Sequence, residues 1–333
     1  MNDFSTNLVF ETAMAYQRTA ALIAAVKLDI FTMLGSGRMT PDDLASRTGA
    51  SARGLRILCD YLTVIGLLQK QDSSYSLTNP TRTFLDASSP FPMDSILDFL
   101  AAPEMLALFF NDPASYVLNG GSNGLANIAP DNPIWVRYAQ AMAPLAALTA
   151  KRVVAHVATL PAPPYTVLDI AAGHGLYGIE LAKLFPDAFV TAVDWPNVLA
   201  VTRANAEAAG LNDRFRMLAG NALDLEWGLE FDLIILANFL HHFDCKTCTS
   251  LLRKVKFSLA PGGQALAVDF VPNEDRVSPP VPAMCGFLWL ATTPRGDAYT
   301  ASELDEMAKT AGFRGATTRS LLPTPETLII FEN

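Results

Sequence analysis

From residue 165 onward the chain alternates short apolar runs with helical stretches, and this alternation restricts the possible fold more than any other feature. The four apolar runs are predicted strands at Tyr165–Ile170, Ala188–Val193, Phe231–Ala237 and Gln264–Phe270. The predicted helices lie at Leu176–Leu184, Val198–Ala209 and Cys248–Leu259. Strands with such continuous apolarity are typical of a parallel sheet that is covered on both faces. The sequence therefore predicts an α/β domain.

A polar residue stands at or near the end of each predicted strand. These residues are Asp169, Asp194, Asn238 and Asp269. In an open α/β sheet the ligand binds in the crevice outside the carboxyl ends of the strands. We therefore expect these four side chains to surround a ligand site.

Before Pro161 the periodicity is helical. Apolar residues at 22, 23, 26, 30 and 31 are predicted to share one helical face. Thr40, Pro41 and Asp43 have the spacing of a capping box, and that helix is expected to end at Gly49. Ser51 is expected to cap a further helix, and 67–70 and 75–77 to form a two-stranded wing. The pattern predicts a winged helix.

Winged helices often bind DNA, and Arg53 and Arg56 lie on the second helix of this one. The formal net charge of the chain is −9, however, and a nucleic-acid site requires a basic surface. We therefore expect this domain to mediate dimerisation and not to bind nucleic acid. No basic segment followed by an apolar stretch begins the chain, so we expect a cytoplasmic protein that is not inserted in a membrane.

Gly173, Gly175 and Gly178 spell G-x-G-x-x-G, and Asp194 follows about twenty residues later, as in dinucleotide-binding folds. The register differs from that fingerprint, because Ala171 and Ala172 separate the predicted strand from the first glycine. The carboxylate of Asp169 would crowd a pyrophosphate, but it suits a ligand that carries an ammonium or sulfonium. The loop therefore favours a cationic ligand over a dinucleotide.

The segment Val167–Gly175 resembles motif I of class I S-adenosylmethionine-dependent methyltransferases. Segments 138–142, 239–244 and 311–313 follow the order found in plant-type and bacterial small-molecule O-methyltransferases. The resemblance implies a Rossmann-like methyltransferase domain, α/β in class, preceded by a mainly α-helical winged-helix domain that forms a homodimer. The domains expected are 1–95 for dimerisation, 96–160 for a helical region contributing to the acceptor pocket, and 161–333 for catalysis.

The same resemblance assigns residues to the cofactor, S-adenosyl-L-methionine, whose product is S-adenosyl-L-homocysteine. The methionine end is expected near Asp169 and Gly173, and the ribose on Asp194, where a carboxylate can accept from both hydroxyls. Asn221 stands where the family usually has Asp, beside the adenine. The full set of expected cofactor-binding residues is Asp169, Gly173, Gly175, Asp194, Trp195, Gly220, Asn221, Ala222 and Asn238.

For catalysis the resemblance assigns His241 as general base and Asp269 as the acid that orients it. Ala298 stands where plant relatives carry a second acid, a Glu. A phenol has a pKa near 10, so a neutral histidine that accepts its proton accelerates attack on an activated methyl group. We therefore expect methyl transfer to a hydroxyl of a small, aromatic acceptor, with no metal. Expected acceptor-binding residues are Tyr138, Met142, His242, Met284, Leu288 and Trp289.

Three alternatives remain open. Because one acid is missing beside His241, the methyl group could go to carbon or nitrogen, or the scaffold could perform a reaction other than methylation. The protein could also be a winged-helix regulator that senses a small ligand. Cys245 and Cys248 have C-x-x-C spacing, but no second ligand pair accompanies them, and Asp244 predicts a helix start there.

Overall fold

A computed structural model describes residues 6–90, 92–124 and 132–333 of the chain. The chain divides into two compact units, Met1–Ala102 and Pro103–Asn333. The elements of the first unit are α1 (Asn7–Ala13), α2 (Tyr16–Lys27), α3 (Ile30–Leu34), α4 (Pro41–Thr48), α5 (Ala52–Val64), β1 (Leu68–Gln71), β2 (Ser74–Leu77), α6 (Asn79–Phe84) and α7 (Leu97–Leu100).

The predicted helix pair and wing of the first unit are confirmed. The Thr40 hydroxyl accepts a hydrogen bond from the backbone N–H of Asp43, whose carboxylate accepts from the N–H of Thr40, so the capping box is complete. Gly49 ends α4 in the left-handed conformation, and Ser51 caps α5. β1 and β2 pair antiparallel, with Leu68 opposite Leu77.

One prediction about this unit is wrong. The apolar residues expected on a single helical face belong to two helices, because α2 ends at Lys27 and α3 begins at Ile30. Asp29 between them has φ of 53°, a left-handed conformation that interrupts the helix. Both pieces still contribute to one core, in which Ala25, Ile30 and Phe31 are buried.

The second unit contains the α/β domain. Its elements are α8 (Pro103–Phe110), α9 (Pro113–Asn119), α10 (Pro133–Val157), β3 (Thr166–Ile170), α11 (Leu176–Leu184), β4 (Phe189–Asp194), α12 (Pro196–Ala208), β5 (Phe215–Ala219), β6 (Phe231–Ala237), α13 (Cys245–Ser258), β7 (Leu259–Asp269), α14 (Pro280–Thr292), α15 (Ala301–Ala311), β8 (Gly315–Ser320) and β9 (Thr327–Glu332). Within the described residues, no helix has both the length and the apolarity that crossing a bilayer requires.

The sheet of this unit has seven strands in the order β5-β4-β3-β6-β7-β9-β8. β3 to β7 are mutually parallel, whereas β9 runs antiparallel to both β7 and β8. The carboxyl ends of the parallel strands therefore meet at one edge of the sheet. Because β9 runs in the opposite direction, its first residues lie at that same edge, with Thr327 opposite Asp269.

Both faces of the sheet are buried, as the continuous apolarity predicts. Alternate residues of a strand point to opposite faces, so Val167 and Leu233 belong to one core, whereas Leu168 and Ile234 belong to the other. All four side chains are fully buried. The sheet thus holds its carboxyl edge rigidly in place.

Candidate active site

A cavity of about 360 Å³ opens at the carboxyl edge of the sheet. Its wall is formed by the loops after β3, β4, β5 and β6, by one side of α10, and by the segment before β9. Ten of the predicted site residues line it: Tyr138, Met142, Gly173, Asp194, Trp195, Gly220, Asn221, Ala222, Asn238 and His242. The other predicted residues, among them Asp169, His241 and Asp269, lie outside this lining.

The glycine loop after β3 is held by the end of β4. The backbone N–H of Gly173 donates to Oδ2 of Asp194 at 2.8 Å, and the N–H of Trp195 donates to Oδ1 at 2.7 Å. Gly175 has φ of 73°, and a Cβ at this position would lie 2.5 Å from Cγ2 of Thr202 on α12. The loop therefore needs glycine at 175 for close packing as well as for its conformation.

Asp169 lies beneath this loop and is almost completely buried. Its Oδ2 accepts from the N–H of Gly178 at 3.3 Å, whereas its Oδ1 has no hydrogen-bond partner among the described residues. Burial raises the pKa of Asp169 to about 8, with a smaller contribution from the charge of Asp194. Burial also raises the pKa of Asp194 to about 6, although the two backbone donors to its carboxylate oppose the shift.

The cavity is acidic overall. Asp194 and Glu326 line it, and none of the described residues in its lining is Lys or Arg. A pyrophosphate would meet carboxylates without a cation to offset them. A ligand with positive charge, in contrast, would relieve the cost of burying those carboxylates.

The loop after β5 forms the end of the cavity expected to receive the adenine. The side chain of Asn221 is oriented within this loop, since its Oδ1 accepts from the N–H of Leu223 at 3.1 Å and its Nδ2 donates to Asp224 at 2.7 Å. Lys254 on α13 donates to the Leu225 carbonyl at 2.6 Å and lies over the Trp227 ring at 3.7 Å from its centroid. Lys254 thus fastens the loop to α13.

His241 lies in a short 3-10 turn, Leu240–His242, just after β6. Its Nδ1 is 2.6 Å from Oδ1 of Asp269 at the end of β7, and its ring stacks on Trp289 with centroids 3.7 Å apart and an interplanar angle of 2°. Nε2 is buried and has no hydrogen-bond partner among the described residues. Asp269 and Trp289 therefore orient the imidazole and leave its second nitrogen available.

The two adjacent histidines have different environments. His242 lines the cavity, whereas His241 is 1% exposed and lies behind that lining. Burial lowers the pKa of His242 well below its ordinary value, and the neighbouring His241 lowers it further. A neutral His242 therefore faces the cavity, whereas the carboxylate of Asp269 is hydrogen-bonded to His241.

The residues expected to bind the acceptor are only partly brought together. Tyr138 and Met142 of α10 line the cavity. Trp289 of α14 contacts His241, and Leu288 precedes it, but neither belongs to the lining. Met284, also on α14, is 65% exposed and lies outside the lining too.

Glu326 is a site residue that was not predicted from the sequence. It is 2% exposed and lines the cavity immediately before β9. Its Oε1 accepts from Nδ2 of Asn238 at 2.8 Å, and its Oε2 accepts from the Thr149 hydroxyl. The available signal was an acidic residue two positions before the apolar run 328–331, but only the antiparallel pairing of β9 with β7 brings it to the site.

Comparison with known proteins gives consistent matches over most of the chain. Residues 114–314 match a family model described as the O-methyltransferase domain, and residues 10–87 match one described as the O-methyltransferase dimerisation domain. A solved structure of a provisionally assigned O-methyltransferase from Nostoc punctiforme is 42% identical, with a TM-score of 0.93 over 99% of each chain.

Two curated proteins are more distant relatives. Acetylserotonin O-methyltransferase of Mus musculus is 28% identical, over 92% of this chain and 83% of its own length. 3-hydroxy-5-methyl-1-naphthoate 3-O-methyltransferase of Streptomyces sahachiroi is 25% identical, over 92% of this chain and 88% of its own length. The human N-acetylserotonin methyltransferase, solved in complex with S-adenosylmethionine, shares the fold with a TM-score of 0.83 at 20% identity over 100% of this chain and 99% of its own.

Proposed function

The chain belongs to the O-methyltransferase family, and on this premise we propose that it transfers the methyl group of S-adenosylmethionine to a hydroxyl of a small aromatic compound, with His241 as general base. The dimerisation domain of the same family precedes the catalytic domain. Membership of the family leaves open two parts of this proposal, the group that accepts the proton and the class of molecule that accepts the methyl group.

The residues of the cavity fit the cofactor. S-adenosylmethionine is a nucleoside with two positive centres, an ammonium and a sulfonium, and it carries no phosphate. The acidic lining, the unpartnered Oδ1 of Asp169 and the closely packed glycine loop suit such a ligand. In the proposed arrangement Asp194 binds the ribose and Asn221 lies beside the adenine. When bound, the cofactor supplies an electrophilic methyl group.

In this proposal His241 accepts the proton of the acceptor hydroxyl. Its Nδ1 lies 2.6 Å from Asp269, so the carboxylate accepts the Nδ1–H and fixes the tautomer in which Nε2 carries a lone pair. Asp269 also stabilises the imidazolium that forms when Nε2 accepts the proton. One acid, Asp269, is therefore sufficient to orient His241. A second acid at position 298, where plant relatives carry a Glu and this chain has Ala, is not needed for that orientation.

An aromatic acceptor is supported by the apolar part of the lining. Tyr138, Met142, Phe239 and Phe243 contribute apolar surface beside His242. The planar rings of Tyr138, Phe239 and Phe243 favour a planar aromatic ligand through stacking and area burial. Acetylserotonin and hydroxynaphthoate, in the names of the two curated relatives, are small aromatic compounds with a hydroxyl group.

The observation that carries the proposal is the buried His241–Asp269 pair, in which Nε2 has no partner among the described residues and the ring lies 4.4 Å from that of His242, which lines the acidic cavity. It is tested with phenols of graded acidity. His241→Ala should lower kcat about 10²- to 10⁴-fold for an ordinary phenol, because the proton acceptor is lost. The loss should be far smaller for a nitrophenol that is already ionised, since that acceptor has no proton to give up.

His242→Ala is the matched control and should lose less activity with every phenol. Titration calorimetry should give the same affinity for S-adenosylhomocysteine in both variants as in the wild type. A uniform loss across the phenol series would assign His241 a positioning role instead of a base. Binding of NADH but not of S-adenosylhomocysteine to the wild type would overturn the cofactor assignment itself.

A further inference from the structure

Glu326 is a buried carboxylate that the proposed reaction does not use. It reaches the carboxyl edge of the sheet because β9 runs antiparallel to β7, and it lines the same cavity as Asp194. Asp269 is paired with the residue that follows Glu326, and Asp269 holds His241, so the two proposed catalytic residues lie near Glu326 but outside the lining of the cavity. Glu326 thus lies inside the ligand site, in the same lining as Gly173, although it is far from the glycine loop in sequence.

The partners of Glu326 do not neutralise it. Its two oxygens accept from the amide of Asn238 and the hydroxyl of Thr149, which are both uncharged donors. A buried carboxylate without a cationic partner carries a large desolvation cost. Burial raises the pKa of Glu326, the charge of Asp269 raises it further, and the two donors and His241 oppose the shift. A positive group beside Glu326 would stabilise its ionised form.

Further polar atoms around Glu326 also lack partners. Tyr177 lines the cavity, and its buried hydroxyl has no hydrogen-bond partner among the described residues. The same holds for Oδ1 of Asn238, the residue that donates to Glu326. Asn238 has φ of 53°, in the left-handed region that Asn adopts more readily than most residues. Unpartnered polar atoms in one cavity indicate that a ligand completes the hydrogen bonding here.

We propose that Glu326 is an anionic contact for a cationic centre of the methyl donor. This inference rests on the proposed function, since it takes S-adenosylmethionine as the ligand. That molecule offers two centres with the required charge, the ammonium of its methionine part and the sulfonium. Glu326 is then a binding residue that discriminates ligands by charge, in addition to Asp194, which is proposed to bind the uncharged ribose.

The test measures binding and requires no turnover. Wild type and Glu326→Gln are titrated calorimetrically with S-adenosylmethionine, with S-adenosylhomocysteine, which lacks the sulfonium charge, and with 5′-methylthioadenosine, which lacks both charges. The Gln variant keeps the size of the side chain and removes its charge. It should bind S-adenosylmethionine about ten- to a hundredfold more weakly and 5′-methylthioadenosine as tightly as wild type does.

The result for S-adenosylhomocysteine shows which cationic centre of the methyl donor Glu326 contacts. A parallel loss assigns Glu326 to the ammonium, and an unchanged affinity assigns it to the sulfonium. Glu306→Gln, an exposed position on α15, is the charge-matched control and should change none of the three affinities. Asp194→Asn should weaken all three ligands together.

Two results would overturn the inference: an unchanged affinity of Glu326→Gln for S-adenosylmethionine, or an equal loss for all three ligands. The second would mean that the variant disturbs the cavity as a whole. Failure of the wild type to bind S-adenosylmethionine would instead refute the proposed function on which the inference rests. The two failures are therefore distinguishable.

Discussion

At the residue scale, Asp169 is a buried carboxyl group whose ionisation lowers the stability of the fold. Its carboxyl group is buried with one unpartnered oxygen, and its pKa is raised to about 8. In an unfolded chain an Asp titrates at about 3.9. Between these values the unfolded state releases a proton that the folded state retains, so this group makes the fold less stable as the pH rises from about 4 to about 8.

We therefore expect Asp169→Asn to unfold at a higher temperature than wild type at about pH 9, because the amide carries no charge to bury. The advantage should vanish near pH 4, grow as the pH rises and level off above about pH 8, with a size on the order of a few kcal/mol. Thermal unfolding followed by circular dichroism across this pH range measures it. A variant that is less stable than wild type at the alkaline end would contradict the assignment of a costly buried charge.

Single residues differ in how well the sequence predicts them. His241, Asp269 and Asp194 follow apolar strands whose ends are recognisable, so their meeting at one edge of the sheet could be predicted. Glu326 could not, because its proximity to Asn238 depends on the antiparallel pairing of the last strands. The separation of His241 from the cavity lining by His242 depends on side-chain packing, which no spacing in the sequence reveals.

At the scale of elements, the turn that carries His241 is fixed by the segment between α14 and α15. A Cβ on Gly296 would lie 2.1 Å from the His241 carbonyl oxygen and 2.6 Å from the Thr293 hydroxyl. A Cβ atom cannot approach a carbonyl oxygen so closely, so the backbone at His241 or at position 296 would have to move. The absence of a side chain at Gly296 thereby allows the 3-10 turn to hold the His241 ring in contact with Asp269 and Trp289.

Gly296→Ala should therefore lower kcat at least about tenfold while leaving the affinity for S-adenosylhomocysteine nearly unchanged, because a displacement of about 1 Å is costly for catalysis. Steady-state kinetics and calorimetry measure the two effects separately. Gly286→Ala on α14 is the control, since its new methyl group would make only ordinary contacts, at 3.7 Å and beyond. Equal activity of the Gly296 and Gly286 variants would show that the turn is not held this way.

The elements themselves were predicted to different degrees. Three of the four apolar strands were placed to within one residue at each end, because burial on both faces leaves an unmistakable run of apolar side chains. The fourth, β7, begins five residues earlier than predicted, at Leu259. β5, β8 and β9 were not predicted. β5 and β8 form the two edges of the sheet, and β8 is mostly polar and exposed. The break between α2 and α3 was missed, since apolar spacing continues across it while the left-handed backbone of Asp29 interrupts the helix.

At the scale of the whole molecule, the order of the two parts could be predicted and is confirmed by the family models, with the dimerisation domain at 10–87 before the O-methyltransferase domain. The finer boundaries, 1–95, 96–160 and 161–333, remain predictions. So does the contribution of 96–160 to an acceptor pocket, although Tyr138 and Met142 of α10 line the cavity. Neither composition nor periodicity identifies the acceptor, because apolar lining residues resemble core residues in sequence.

We expect a second copy of the chain to bind at the exposed apolar surface of the first unit. α1 has no buried residue, and its side chains Leu8 and Phe10 are 72% and 60% exposed. Covering such side chains stabilises a complex by about 25 cal/mol per Å² of apolar area removed from water. We therefore expect light scattering at micromolar concentration to give twice the chain mass of 35.9 kDa.

Phe10→Asp should shift this equilibrium towards the monomer, because a carboxylate would be buried in the interface without a partner. Phe257→Asp, at a residue of the second unit that is 75% exposed, tests whether any new surface charge has this effect and should leave the dimer intact. The same samples titrated with a DNA duplex should show no binding that weakens with salt, since the net charge of −9 opposes association with phosphates. A wild-type mass of one chain would exclude the dimer. A dimer that is disrupted by Phe257→Asp but not by Phe10→Asp would place the interface elsewhere.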